Sequence, residues 1–160
     1  MAQNEKARAG AQPVTFFNDM DRDALEREVA RRLADRFSDT ALRAALFSHH
    51  LGEMEGPDGF AHVEGYCGDL ITFYLRIADG CISEITFTTD GCDATIASGE
   101  MLATLVAGKT LNEAERVTAE ELLVALDGMP ANHTHCTELA VQTLREAIAS
   151  YRSSASKRGT

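Results

Sequence analysis

The stretch CGDLITFYLRIADGCISEITFTTDGCDATIASGEML, residues 67–102, changes its apolar period once, and that change decides the fold. Its first part alternates. Ile71, Phe73, Leu75 and Ile77 fall on one face of a strand, and Cys81, Ile85 and Phe87 on one face of the next. Ala78-Asp79-Gly80 between them reads as a turn. From Asp93 the pattern becomes helical, with Ile96, Leu102, Leu105 and Val106 near one side and Gly108 as a stop.

The turn sets an expected register. A three-residue loop with Gly80 left-handed puts Ile77 opposite Cys81, Leu75 opposite Ser83, Phe73 opposite Ile85 and Ile71 opposite Phe87. Both apolar faces then coincide. A two-residue Asp-Gly loop puts Ile71, Phe73 and Leu75 opposite Thr88, Thr86 and Glu84 instead. A slip of one residue moves every side chain to the wrong face, so the first register is the expected one.

Outward from this hairpin the chain alternates helix and loop. FAHVEGY, residues 60–66, is a short strand, and GEMEGPDG, residues 52–59, a loop. Before them lie a helix with Leu25, Val29, Leu33 and Phe37 at a spacing of four, and a second helical piece over 40–47. After the hairpin helix come one or two short helices in residues 111–128. A final helix over 137–151 buries Ala140, Leu144, Ala147, Ile148 and Tyr151. Residues 1–17 and 153–160 read as disordered tails. The expected division is therefore 1–36 as tail and extra helix, 37–152 as the folded domain, and 153–160 as a tail.

Composition excludes several roles. The 160 residues carry a net charge of −10, the wrong sign for nucleic acid or anionic membrane. No apolar run is long enough to cross a bilayer, and the polar start MAQNEKARAGAQ has no signal core, so the expected compartment is the cytoplasm. Four cysteines in such a chain point to metal or sulfur chemistry before disulfides.

The register extends to those cysteines. Cys67 falls opposite Gly91, next to Cys92, and Asp69 falls near Thr89 and Asp90. Cys81 lies at the far end of the hairpin, roughly 30 Å of extended chain away, and its place on the apolar face makes it a small buried hydrophobe. Cys92 and Cys136 each open a helix, where the backbone's partial positive charge favours thiolate. If the last helix packs beside the hairpin, Cys67, Asp69, Cys92, His135 and Cys136 form one site. His133 reads as solvated or as support for a ligand. Taken singly, each cysteine is more often an ordinary structural residue than a functional one, and the residues alone leave a metal site, a sulfur site and a structural role open.

CGDLITFYLRI, GCDATIASGEML and HTHCTELAVQTLREAI together resemble the IscU/NifU-type iron–sulfur cluster assembly scaffolds. The resemblance runs from about Phe37 to Tyr151. It implies an α+β fold, a three-stranded antiparallel sheet with helices on one face, here with an N-terminal helical extension. It also implies a carrier rather than an enzyme. On this carrier a [2Fe-2S] cluster is built from iron and from sulfur delivered by a cysteine desulfurase, then passed to apo-proteins. By motif, Cys67 and Asp69 match the family's Cys-Gly-Asp, Cys92 its Gly-Cys, and His135 and Cys136 its His-Cys pair. Cys136 becomes the persulfide acceptor and Asp69 the weak, replaceable ligand.

Departures narrow the expectation. SHHLG, residues 48–52, stands where the family has Asn-Pro-Arg-Asn. GMPANHT replaces the Leu-Pro-Pro-Val-Lys segment that a dedicated Hsp70-type chaperone binds, so that chaperone is not an expected partner. The insertion of zinc-binding relatives between the second and third cysteines is absent. A zinc-binding persulfide acceptor using the same residues is the alternative.

Overall fold

Asp79 and Gly80 both take positive φ, 55° and 75°, and so form a two-residue hairpin loop whose twist suits the strands it joins. The computed structural model describes residues 22–33 and 37–158. Within them the order is α1 (Arg22–Leu33), α2 (Asp39–Leu46), β1 (Gly59–Glu64), β2 (Leu70–Ala78), β3 (Cys81–Thr89), α3 (Asp93–Val106), α4 (Leu111–Glu115), α5 (Ala119–Ala125), a 3₁₀ turn (Ala131–His133) and α6 (His135–Arg158). The chain divides into two units between residues 35 and 36. The first contains α1 and the second all later elements. The expected disordered tail at 1–17 lies outside the described residues.

The three strands form one antiparallel sheet in the order β1-β2-β3. Its register corrects the expected one. Ala78 pairs with Cys81, Ile77 with Ile82 and Arg76 with Glu84, so Ser83 is an extra residue, a β-bulge. Beyond it Leu75 faces Ile85, Phe73 faces Phe87 and Ile71 faces Thr89. The tight loop shifts the pairing by one residue and the bulge shifts it by one more in the same direction, two in all, which restores the facing parity. The apolar faces therefore still coincide, by a route that alternation alone does not reveal. The Ser83 hydroxyl donates to the Arg76 carbonyl at 3.0 Å and fixes the bulge.

The bulge also inverts the start of β3. Ile82 points into the core and is fully buried, while Cys81 is only half-buried beside Thr110. Cys81 is thus not the core residue that strict alternation makes it.

The buried face carries Ile71, Phe73, Leu75, Ile85 and Phe87. α6 lies along β1 and β2, α3 against β3, and α2 against α3. Ala97, Leu102, Val106, Ala140, Leu144 and Ile148 close the core from the helix side. Burying each of the Val, Leu and Ile side chains among them contributes about 1.5–3 kcal/mol. The final helix starts two residues earlier than the periodicity suggests and continues to Arg158, where sequence reading placed a disordered tail. Ser and Lys at its end are acceptable helix surface, and composition alone cannot tell that from a tail.

One buried carboxylate anchors the loop between α2 and β1. Glu100, on α3, accepts from the Ser48 hydroxyl at 2.7 Å and from the backbone N–H groups of His49 at 2.7 Å and His50 at 2.8 Å. Its other oxygen meets His50 Nδ1 at 2.5 Å. Burial alone would raise the Glu100 pKa. The bonds from Ser48 and His50 outweigh it and hold the carboxyl below its ordinary value. The pinned loop then pairs along β3, with Phe87 N–H donating to the His50 carbonyl at 2.9 Å.

Candidate functional site

At the end of the sheet away from the Asp79-Gly80 turn, β1 passes to β2 through the tight loop Gly65–Asp69, closed by Gly65 N–H on the Asp69 carbonyl at 2.8 Å. This turn presents Cys67, which is exposed. Across from it β3 ends and α3 begins. Leu70 N–H donates to the Asp90 carboxylate at 2.8 Å, tying the two strand ends together.

Cys92 is the N-cap residue of α3, and its side chain makes no cap bond. Its exposed thiol therefore sits at the positive end of the helix, free for other partners. Thr95 stands one turn further along, fully buried. Its hydroxyl donates to Asp69 Oδ2 at 2.7 Å and lies 3.5 Å from Cys136 Sγ. Cys92 Sγ is 4.0 Å from the same hydroxyl. One hydroxyl has one proton, so it serves Asp69 or Cys136 as donor at any moment, not both. Gly91 makes this approach possible, because a Cβ there would stand 2.7 Å from Thr95 Oγ1 and 2.8 Å from Asp69 Oδ2.

The other wall is the start of α6. The 3₁₀ turn is locked by His133 N–H on the Pro130 carbonyl at 2.8 Å, and α6 by the Thr137 hydroxyl on the Thr134 carbonyl at 2.7 Å. Cys136 faces inward and is 1% exposed. Its thiol pKa is pushed up to about 11, first by burial and then by the negative charge of Cys92, Asp69 and Cys67; the Thr95 bond works against this. The helix start therefore does not make Cys136 a ready thiolate in the metal-free protein, as its position in the sequence suggested. Burial outweighs the helix field.

The two histidines flank this thiol differently. His135 Nε2 lies 3.7 Å from Cys136 Sγ, and its ring packs 5.0 Å from that of Tyr66, which is 85% exposed. The His133 ring lies 5.6 Å from that of Phe37 and 6.4 Å from that of His135. Ligand atoms of Cys92, His133 and Cys136 lie within 4.8 Å of one another, the one such group among the described residues.

The sequence-predicted residues thus meet as follows. Asp69, Cys92 and Cys136 converge on Thr95, His135 touches Cys136, and Cys67 is near enough for its charge to act on Cys136. Sequence reasoning missed Thr95 and gave His133 no place in the group. Both had a signal. Each stands three residues from a site cysteine, one helical turn along the same side.

Fold and site together define a small α+β domain with thiols, a carboxylate and imidazoles gathered where two helices begin. The NifU-like N terminal domain family model matches residues 38–158, and the chain belongs to that family. It is 40% identical over 103 residues to the iron–sulfur cluster assembly scaffold protein IscU 1 of Archaeoglobus fulgidus, covering 64% of this chain and 67% of that one. It is 34% identical over 88 residues to the scaffold protein IscU of Escherichia coli, covering 54% and 68%. Among solved structures, a NifU-like N-terminal protein from Brucella abortus superposes with a TM-score of 0.62 at 19% identity, over 72% of this chain and 94% of that one. This confirms the three-stranded sheet with helices on one face. Among the described residues no helix is long and apolar enough to cross a membrane.

Proposed function

We propose that this protein is a scaffold on which an iron–sulfur cluster, a [2Fe-2S] unit, is assembled and from which it is handed on. The observation that supports it most is the convergence of Cys92, Asp69 and Cys136 on Thr95 at the start of α3, with His135 against Cys136 and the exposed Cys67 on the facing turn. Thiolates are the standard ligands of such clusters, and oxygen or imidazole in one position makes the cluster easier to release. The proposed ligands are Cys67, Asp69, Cys92, His135 and Cys136. Similarity to relatives named as cluster assembly scaffolds favours this reading over the zinc-binding persulfide acceptor.

The partners are a cysteine desulfurase and apo iron–sulfur proteins, and the compartment is the reducing cytoplasm. Cys136 is the proposed sulfur acceptor. Its thiolate attacks the outer sulfur of the donor's persulfide, forming Cys136–S–SH and releasing the donor's thiolate. Reducing that sulfur to sulfide takes two further electrons from an external donor. Because Cys136 is buried, docking of the desulfurase must uncover it first. Metal loading displaces thiol protons, so loading rises with pH.

The test is anaerobic reconstitution with iron, cysteine and a desulfurase, followed by visible absorbance. Wild type and Cys81→Ala should load fully, and Cys67→Ala, Cys92→Ala and Cys136→Ala should not. Full loading of the Cys136 variant, or none of wild type, overturns the assignment.

A further inference from the structure

We propose that Tyr66 is a positioning residue, whose ring holds the His135 imidazole with Nε2 toward Cys136 and so ties the turn carrying Cys67 to the start of α6. The inference deepens the scaffold reading and rests on it for the role of His135 as a cluster ligand.

The first support is where Tyr66 stands. The Gly68 N–H donates to the Gly65 carbonyl at 2.9 Å, which makes Tyr66 and Cys67 the two central residues of one tight turn. A displacement of either moves the other. The turn lies directly on α6, since a Cβ on Gly65 would stand 3.1 Å from Leu139 Cδ2.

The second is what Tyr66 touches. At 85% exposure its ring is not held by the core. It reaches instead from the turn to α6 and packs on the His135 ring, with centroids 5.0 Å apart and planes tilted by 49°. Aromatic rings at this distance and tilt attract beyond the area they bury. The contact is ring on ring and uses no hydroxyl, so phenylalanine serves as well as tyrosine.

The third is how little else fixes His135. Its Nε2 lies 3.7 Å from Cys136 Sγ, a long contact to a weak partner. The His133 ring is further off, at 6.4 Å. Beside the pair a cleft of about 280 Å³ opens between the end of β1 and α6, bounded by Glu64, Glu138 and Gln142. That space leaves the imidazole room to turn between staggered positions. Tyr66 closes off this freedom. An imidazole held near Cys136 is ready when the cluster needs it, and one free to swing into the cleft is not.

The experiment has two arms. In the reduced, metal-free full chain, the Hα–Hβ couplings of His135 report whether χ1 keeps one rotamer. Wild type and Tyr66→Phe should show one, and Tyr66→Leu an average over several. Wild-type couplings in Tyr66→Leu overturn the proposal. In the second arm each protein is reconstituted with iron, cysteine and a desulfurase, and cluster lifetime is read by visible absorbance. Tyr66→Leu should shorten the lifetime at least about threefold, the scale of one aromatic contact, and Tyr66→Phe should leave it unchanged. The same Tyr66→Leu change in a His135→Ala background should have no effect, because Tyr66 acts through His135. An equal loss in both backgrounds overturns the proposal, since the turn and not the imidazole would then be what Tyr66 serves. Circular dichroism of each variant checks the fold. The couplings are read without cargo, so the two readings fail separately. A wild type that builds no cluster, with couplings that depend on Tyr66, loses the scaffold role and keeps the held imidazole. One that builds a cluster, with couplings indifferent to Tyr66, does the reverse.

Discussion

The Thr95 hydroxyl donates to the Asp69 carboxylate across 2.7 Å, joining the first turn of α3 to the residue that precedes β2. The same oxygen is 3.5 Å from Cys136 Sγ, so one buried side chain fixes the spacing of three elements. Thr95→Val keeps the shape and removes the bond. Folding stability of the metal-free protein should fall by about 1 kcal/mol, the net value of such a bond. Thr95→Ser, which keeps the hydroxyl, should recover most of it. Urea unfolding of the three proteins checks this. Equal midpoints for wild type and Thr95→Val would mean that Asp69 gains as much from water as from Thr95.

The raised pKa of Cys136 has a direct readout. With a pKa of about 11, only about one molecule in a thousand carries the thiolate at pH 8. Cys67 and Cys92 are exposed, and Cys136 is not. Alkylation of the metal-free protein, followed residue by residue with mass spectrometry, should label Cys136 at least about tenfold more slowly than the other two. Its rate should climb with pH up to about 11. Fast labelling of Cys136 at neutral pH would show that the helix field outweighs burial after all.

These two relationships show what the sequence could and could not tell. Alternation in residues 71–77 and 81–87 located the hairpin and its apolar faces, because a sheet buried on one side requires period two. It could not show Ser83 as a bulge, since a loop one residue shorter with a bulge and a longer loop without one bury the same faces. Cys81 was misplaced by that same compensation. The cysteine cluster was legible because Cys67 and Cys92 flank strand ends that any register of this hairpin brings near each other. Thr95 and His133 showed only a spacing of three from a site cysteine, and their roles depend on which way a first helical turn faces. That is set by the packing of α3 and α6 on the sheet, not by local pattern.

Glu100 offers a test of the loop that departs from the family pattern. Its folded-state pKa lies below the ordinary value of 4.5, because Ser48 and His50 bonds outweigh burial. A depressed carboxylate stabilises the fold above its unfolded pKa, and that stabilisation is lost as pH falls through the folded value. Glu100→Gln should cost about 1–3 kcal/mol at neutral pH by weakening charge-assisted bonds to Ser48, His49 and His50. The difference from wild type should stay constant above 4.5 and narrow below it. Denaturant midpoints across pH measure this. A gap that widened in acid would mean that Glu100 is protonated in the native state.

Asp69 is where release of the cluster is expected to begin, because it is the one hard oxygen among soft thiolates. A carboxylate is protonated or displaced more readily than a thiolate, which gives an acceptor's incoming thiol a position to attack. The structure adds a reason why it can leave. Asp69 has a second partner at hand in the Thr95 hydroxyl, so leaving the metal does not strand a half-buried charge. Asp69→Ala should close that route, with His135 or Cys136 taking the vacated iron position. The cluster on the variant should then persist longer and pass more slowly to an apo-ferredoxin. Thr95→Val should shift both quantities in the same direction but by less, since it removes only the place to which Asp69 withdraws. Cluster lifetime and transfer rate, measured side by side at one pH, decide the matter. A variant that loses its cluster sooner and transfers it just as fast would make Asp69 a stabilising ligand, and the release point would then have to lie at His135.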